Sequence, residues 1–310
     1  ELLRSISLQE TLQVIRVVVE MVEELVVKEH PDLHEAILRY SRDIAFSAAD
    51  VYAKAAEARG LWDARLEALV VDSVISGESS QEISSRVAAL GWRSDGQVAV
   101  LLGTSPKEPD PDAIRKIARK SKCDVLIGIQ GRRQVVVIGL IETSGDAQLE
   151  ITQLALLIEG LFAQGPLVLG PVVPTVSEAS RSAKAALAAN SVAATTSFSH
   201  RPILADELLP ERALAGDVLA KQTLLQSLYH PIADASTELL NTLKTYLECG
   251  RSLEATSKVL YVHANTVRYR LRRIHEILGV DATNPRTAFV LQIALALGAI
   301  SDSETGVKRD

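Results

Sequence analysis

Apolar residues first recur at Leu8, Leu12, Ile15, Val19, Val22 and Val26, a 4-3-4-3-4 spacing. That is a narrow helical seam lasting under three heptads, which predicts a bundle helix rather than a long coiled coil. A second helix is expected after Pro31, with Ile37, Tyr40, Ile44, Val51 and Ala55 on one face and Gly60 as its stop. A third is expected from Trp62 to Ile75. Ser79, with Glu82 three residues on, reads as the capping box of a fourth helix that Gly91 ends. Residues 1–94 therefore predict a helical bundle.

From Gln97 the period changes. Strands are expected at Gln97–Gly103, Asp124–Ile129, Gln134–Ile141 and Leu167–Val173, from their Val, Ile and Leu content. Helices are expected at Pro111–Lys120, Asp146–Gly160 and Val176–Ala189, the first with proline in its first turn. Gln130-Gly131-Arg132-Arg133 is the hairpin turn between two of the strands. The order β-α-β-β-α-β is the split βαβ arrangement of ferredoxin-like folds, expected to carry its helices on one sheet face. It spans 95–205.

The remainder, 206–310, reads as all-helical. A helix from Leu214 to Tyr229 is expected to break at Pro231. Leu239, Leu240, Leu243, Tyr246 and Leu247 mark the next helix, which Gly250 ends. Ser252 is a fair N-cap for a short helix over 252–260. Tyr261-Val262-His263 is a tight turn, and a further helix runs from Ala264 to Ile277 with Gly279 as its stop. Two short helices joined by about three residues form a helix-turn-helix.

Successive residues of the last helix are ~100° apart. Val267, Leu271 and Ile274 then fall on an inner face. Asn265, Tyr269, Arg272 and Arg273 fall on the outer one, with Arg268 and Arg270 flanking them. Arginine can bind guanine O6 and N7 with two bonds, and asparagine adenine N6 and N7. Base contacts are therefore expected from Asn265, Arg268, Tyr269 and Arg272. Phosphate contacts are expected from Lys258, Arg270, Arg273 and the helix start at Ser252. Thr266 could serve either purpose, and His263 belongs to the same surface.

Charge sharpens this reading. The chain of 310 residues carries a formal net charge of −6. Between Arg251 and Glu276, however, six basic residues face only Glu254 and Glu276, so this window is +4 and the rest −10. A compact basic patch on an acidic chain is the footprint of a polyanion site. No apolar run reaches the ~18–20 residues a membrane span needs. Only Cys123 and Cys249 are present, which excludes a disulfide framework or a cysteine-rich zinc site and fits a reducing cytoplasm. His30 and His34 are four apart, but with Pro31 between them and no clear third ligand they read as surface residues. No Ser lies in a G-x-S-x-G elbow. No catalytic residue, metal or cofactor is expected, and the chain is not read as an enzyme.

Two resemblances add to this. The α/β order resembles the GGDEF-type nucleotide cyclase fold, whose Gly-Gly-acid-acid-Phe hairpin joins the second and third strands. Here that hairpin is Gly131-Arg132-Arg133, and arginines where carboxylates should hold Mg²⁺ would repel the metal. The resemblance therefore implies a degenerate domain kept for packing or sensing. The runs Thr242-Leu243-Lys244-Thr245-Tyr246-Leu247 and His263-Ala264-Asn265-Thr266-Val267-Arg268-Tyr269-Arg270-Leu271 resemble the C-terminal domain of PucR/CdaR-type bacterial transcription regulators. Leu278-Gly279 and Leu291–Leu295 are similar to its ending, so the resemblance covers about 239–297.

It implies a multidomain α and α+β protein that binds double-stranded DNA as a homodimer or higher homo-oligomer, more often as an activator. The segment Trp62–Leu69 resembles the actinobacterial subgroup controlling fatty-acid or mycolic-acid synthesis genes, which implies a long-chain acyl thioester as small-molecule effector. Alternative readings are a ligand-responsive regulator of another metabolic operon and a scaffold of a stress-signalling complex.

Overall fold

The computed structural model describes residues 8–26, 30, 33–77, 80–94, 96–142, 145–196 and 200–305. The chain divides into two compact units, Glu1–Glu67 and Ala68–Asp310.

The first unit is helical. Helix α1 spans Leu8–Val26 and α2 spans His34–Ser76. The Thr11 hydroxyl lies 2.7 Å from that of Tyr52, one of the points where the two helices meet. The expected second and third helices are thus one, and Gly60 does not stop it. A glycine costs a helix interior about 1 kcal/mol without forbidding it, because its N–H remains available, and no proline follows. His30 and His34 are both exposed. The expected cap Ser79 lies outside the described residues; Glu82 instead pairs with Arg86 one turn on.

The second unit begins inside α2. Val70, Val71 and Val74 of that helix, with Ile83 and Val87 of α3 (Ser80–Ala89), are buried in one core with the sheet. The end of α2 and α3 therefore pack with the α/β part, not in a bundle of their own. The sheet contains β1 (Val98–Thr104), β2 (Cys123–Gln130), β3 (Arg133–Leu140), β4 (Leu167–Leu169) and β5 (Ile203–Leu204) in the order β2-β3-β1-β4-β5. All pairs are antiparallel except β4–β5. The first four strands have the split βαβ order. Gln130 pairs with Arg133, so the hairpin turn is the two residues Gly131-Arg132, and Gly131 supplies the positive φ of +60°.

Helices cover both sheet faces, not one. Ala99, Leu101, Val136 and Ile138 face α4 (Pro111–Lys120) and α5 (Ala147–Ile158). Val98, Val100, Leu102, Val135 and Val137 face the end of α2, α3 and α6 (Ala179–Ala193). Small residues let α6 approach closely. Ala179, Ala183, Ala186 and Ala189 are buried, and the Ser182 hydroxyl accepts the Val100 N–H at 2.9 Å. A Cβ on Gly170 would lie 2.2 Å from the Ser182 carbonyl oxygen.

The chain continues through α7 (Leu209–Leu214), α8 (Val218–Leu224) and α9 (His230–Ala235). Gly216, at φ +99°, separates α7 from α8, and Asp217 caps α8. The expected break at Pro231 does not occur. One π-helical turn, Leu225–Tyr229, precedes α9, and proline sits in that helix's first turn, where its missing N–H is tolerated. Arg212 is buried at this junction and bonds Asp217 and the Ala205 carbonyl. The remaining helices are α10 (Thr237–Glu248), α11 (Leu253–Val259), α12 (Ala264–Leu278) and α13 (Pro285–Thr305).

The tight α6–sheet contact is testable. Gly170→Ala should lower the unfolding free energy by about 1–3 kcal/mol through overpacking. Urea unfolding should show a lower midpoint, with the far-ultraviolet circular dichroism of the native protein unchanged.

Candidate nucleic-acid interface

Helices α11 and α12 are held at their starts by side chains. The Ser252 hydroxyl accepts the Ala255 N–H, and its carbonyl accepts from the Thr256 N–H and hydroxyl. His263 caps α12: its Nδ1 accepts the Asn265 N–H at 3.1 Å. Gly279, in the left-handed region, closes α12 by donating to the His275 carbonyl.

The inner face of α12 is as the spacing predicts. Val267 and Ile274 are fully buried, and Ile274 packs with Leu243, Tyr246 and Leu247 of α10 and Leu291 of α13. Leu271 is packed against the same core. With that side committed, the opposite side faces solvent. Asn265, Arg268, Tyr269, Arg272 and Arg273 are all exposed, and Lys258 is exposed at the end of α11. Within this surface the Asn265 amide oxygen accepts from Arg268, so each orients the other. Arg273 pairs with Glu276 at 2.8 Å, and Arg272 has no ion pair among the described residues. Thr266 is half-buried beside Val267.

Arg270, expected among the phosphate contacts, is placed elsewhere. Its side chain is 19% exposed and turns back to α10, where it bonds the Glu238 carboxylate and the Thr242 hydroxyl. It is a tie between two helices. Ser252 likewise has its hydroxyl committed to a cap.

One prominent residue of this surface was not singled out by sequence reasoning. Tyr261, in the turn between α11 and α12, is 96% exposed and has a φ of +54°. Its position in a three-residue turn was visible; its backbone conformation was not.

The α/β part offers different chemistry. Gly131, Arg132 and Arg133 are exposed at the hairpin tip, and Gln130 bonds Asp72. Among the described residues no three His, Cys, Asp or Glu are placed to hold a metal. Cys123 is buried, which pushes its thiol up to about 11, so it is a poor nucleophile at neutral pH. Among the described residues no helix is long and apolar enough to cross a membrane.

The division between tie and surface predicts unequal effects on stability. Arg270→Leu should lower the unfolding free energy by about 1–3 kcal/mol, because it strips a charged partner from Thr242 and Glu238. Arg272→Ala should stay within about 0.5 kcal/mol of the parent. Chemical denaturation of the two variants side by side measures both.

Comparison with known proteins agrees with this geometry. The PucR C-terminal helix-turn-helix domain matches residues 239–297, and the GGDEF-like domain matches residues 76–192. The second match starts within α2, close to where packing on the sheet begins. An uncharacterized protein of Mycobacterium tuberculosis is 40% identical over 319 residues, covering 97% of this chain and 75% of that protein. The purine catabolism regulatory protein of Bacillus subtilis is 46% identical over 59 residues, 19% of this chain and 11% of that one. The crystal structure of a regulator of polyketide synthase expression from Bifidobacterium adolescentis is similar at a TM-score of 0.64 and 34% identity, covering 76% of this chain and 93% of that one. The chain thus belongs to the PucR family of DNA-binding transcription regulators.

Proposed function

We propose that α12 reads base sequence in the major groove and that the protein acts as a homodimer on paired half-sites. The carrying observation is the two-sidedness of α12. Val267 and Ile274 are buried and Leu271 packs against the core formed with α10 and α13, so Asn265, Arg268, Tyr269 and Arg272 are the side chains left to meet a ligand. Asn265 and Arg268 stand in the first turns, where a recognition helix contacts base edges. Lys258 and Arg273 lie to either side and serve phosphate. A single helix-turn-helix spans one half-site, so two copies are needed for an operator.

The regulated genes and the effector follow from likeness alone. Trp62–Leu69 resembles regulators of fatty-acid and mycolic-acid synthesis, and the Bifidobacterium relative is named for polyketide synthase expression. Both kinds of synthase extend acyl thioesters. The reading is therefore an activator of such genes, with a long-chain acyl thioester sensed by the domains upstream of the helix-turn-helix. The α/β domain is read as non-catalytic, since Arg132 and Arg133 occupy the hairpin where a cyclase needs carboxylates.

Fluorescence anisotropy with DNA flanking the protein's own gene, at two salt concentrations and against random competitor, tests the central reading. The parent should hold the specific duplex against competitor. Arg268→Ala/Arg272→Ala should lose at least about 30-fold on it, at roughly 1–3 kcal/mol per base contact. A steep salt slope with no preference over random DNA would reduce the surface to a cationic patch.

A further inference from the structure

We propose that Tyr261 is a DNA-backbone contact: its phenolic O–H donates to a phosphate oxygen at the edge of the groove that α12 enters. The inference rests on the DNA-binding reading above and adds a residue to which neither the motif nor the basic patch points.

Three helices of this domain end on a left-handed residue. Helix α10 ends on Gly250 at φ +64°, and α12 on Gly279 at φ +68°. Helix α11 ends on Tyr261 at φ +54°. The closure of α11 is otherwise ordinary, with the Tyr261 N–H on the Lys258 carbonyl and the Val262 N–H on that of Ser257 at 3.0 Å. Such a closure favours glycine, because a Cβ crowds the backbone there. Here one of the bulkiest side chains occupies it.

The other non-glycine residues with positive φ among those described gain an intramolecular bond from the side chain. Lys122, at φ +55°, pairs with Glu142 at 3.0 Å. Arg251, at φ +66°, donates to the Thr283 carbonyl at 2.9 Å. Tyr261 makes no such bond among the described residues, and 96% of it faces water. Folding therefore gains nothing visible from this side chain, while the backbone beneath it is strained. Strain of this kind, unrelieved within the fold, marks sites of binding.

The location selects the ligand. Tyr261 lies two residues before the N-cap His263 and three after Lys258, beside the end of α12 that carries Asn265 and Arg268. A helix-turn-helix seated in the major groove brings this turn against the sugar–phosphate chain, and tyrosine is among the side chains that hydrogen-bond phosphate. A neutral donor adds affinity without neutralising a phosphate. Its removal should leave the salt slope unchanged and weaken all sequences alike.

The test compares wild type, Tyr261→Phe, Tyr261→Gly and Arg268→Ala/Arg272→Ala, all in the full chain. Each is titrated against a random 30-base-pair duplex and a duplex selected in vitro with the wild-type protein, at two salt concentrations. Both Tyr261 variants should bind each duplex about five- to twenty-fold more weakly, with an unchanged salt slope. Tyr261→Gly should melt no lower than wild type, since it relieves the backbone. Phe or Gly variants within two-fold of wild type would overturn the phosphate bond, as would a loss confined to the selected duplex. If the arginine variant loses binding while the Tyr261 variants keep it, the DNA reading stands and this inference fails. If wild type binds neither duplex, both fail.

Discussion

The central strands β1 and β3 are apolar on both faces, and much of the structure follows from that constraint. Val98, Val100 and Leu102 point one way and Ala99 and Leu101 the other, and all five are buried. A sheet with one apolar face needs one layer of helices, whereas this sheet needs two. Helices α4 and α5 supply the first layer. The second is assembled from the last turns of α2, from α3 and from α6. The close seat of α6, through its alanines and Ser182, closes that face and sets how near Gly170 must lie.

The same logic, on a smaller scale, makes α12 a presenting helix. Burial of Val267 and Ile274 fixes its rotation about its own axis, and the rotation decides which arginines are available. Arg268 and Arg272 fall outward, while Arg270 falls to the flank within reach of Glu238 and Thr242. Residues of one type, two apart in sequence, therefore have different surroundings: Arg268 and Arg272 face solvent, while Arg270 ties α12 to α10. The ends of this domain's helices show a similar division. Glycine closes α10 and α12, and tyrosine closes α11, beside the start of α12.

Much of this was legible in the chain, and the departures have identifiable causes. The β-α-β-β-α-β order, the hairpin at Gly131, the helix-turn-helix and the inner face of α12 follow from local periodicity and turn chemistry, so they survive in the fold. Gly60 and Pro231 misled because each weakens a helix without forbidding it; a long α2 and a π-helical turn absorb them. The expectation of helices on one sheet face overlooked that Val135-Val136-Val137-Ile138 does not alternate, which is how a strand buried on both sides reads.

By itself the sequence determined what depends on neighbours a few residues apart: which segments are strands or helices, which side of α12 is apolar, and where positive charge collects. Tertiary structure alone decided what depends on distant partners. It assigned the end of α2 and α3 to the sheet's second face and withdrew Arg270 to α10. The physical reason is one of range. Periodicity is imposed by backbone geometry within a turn or two, whereas the burial or ion pair that a side chain finally makes is set by an element far away in sequence, 28 residues for Arg270 and Thr242, which no local pattern encodes.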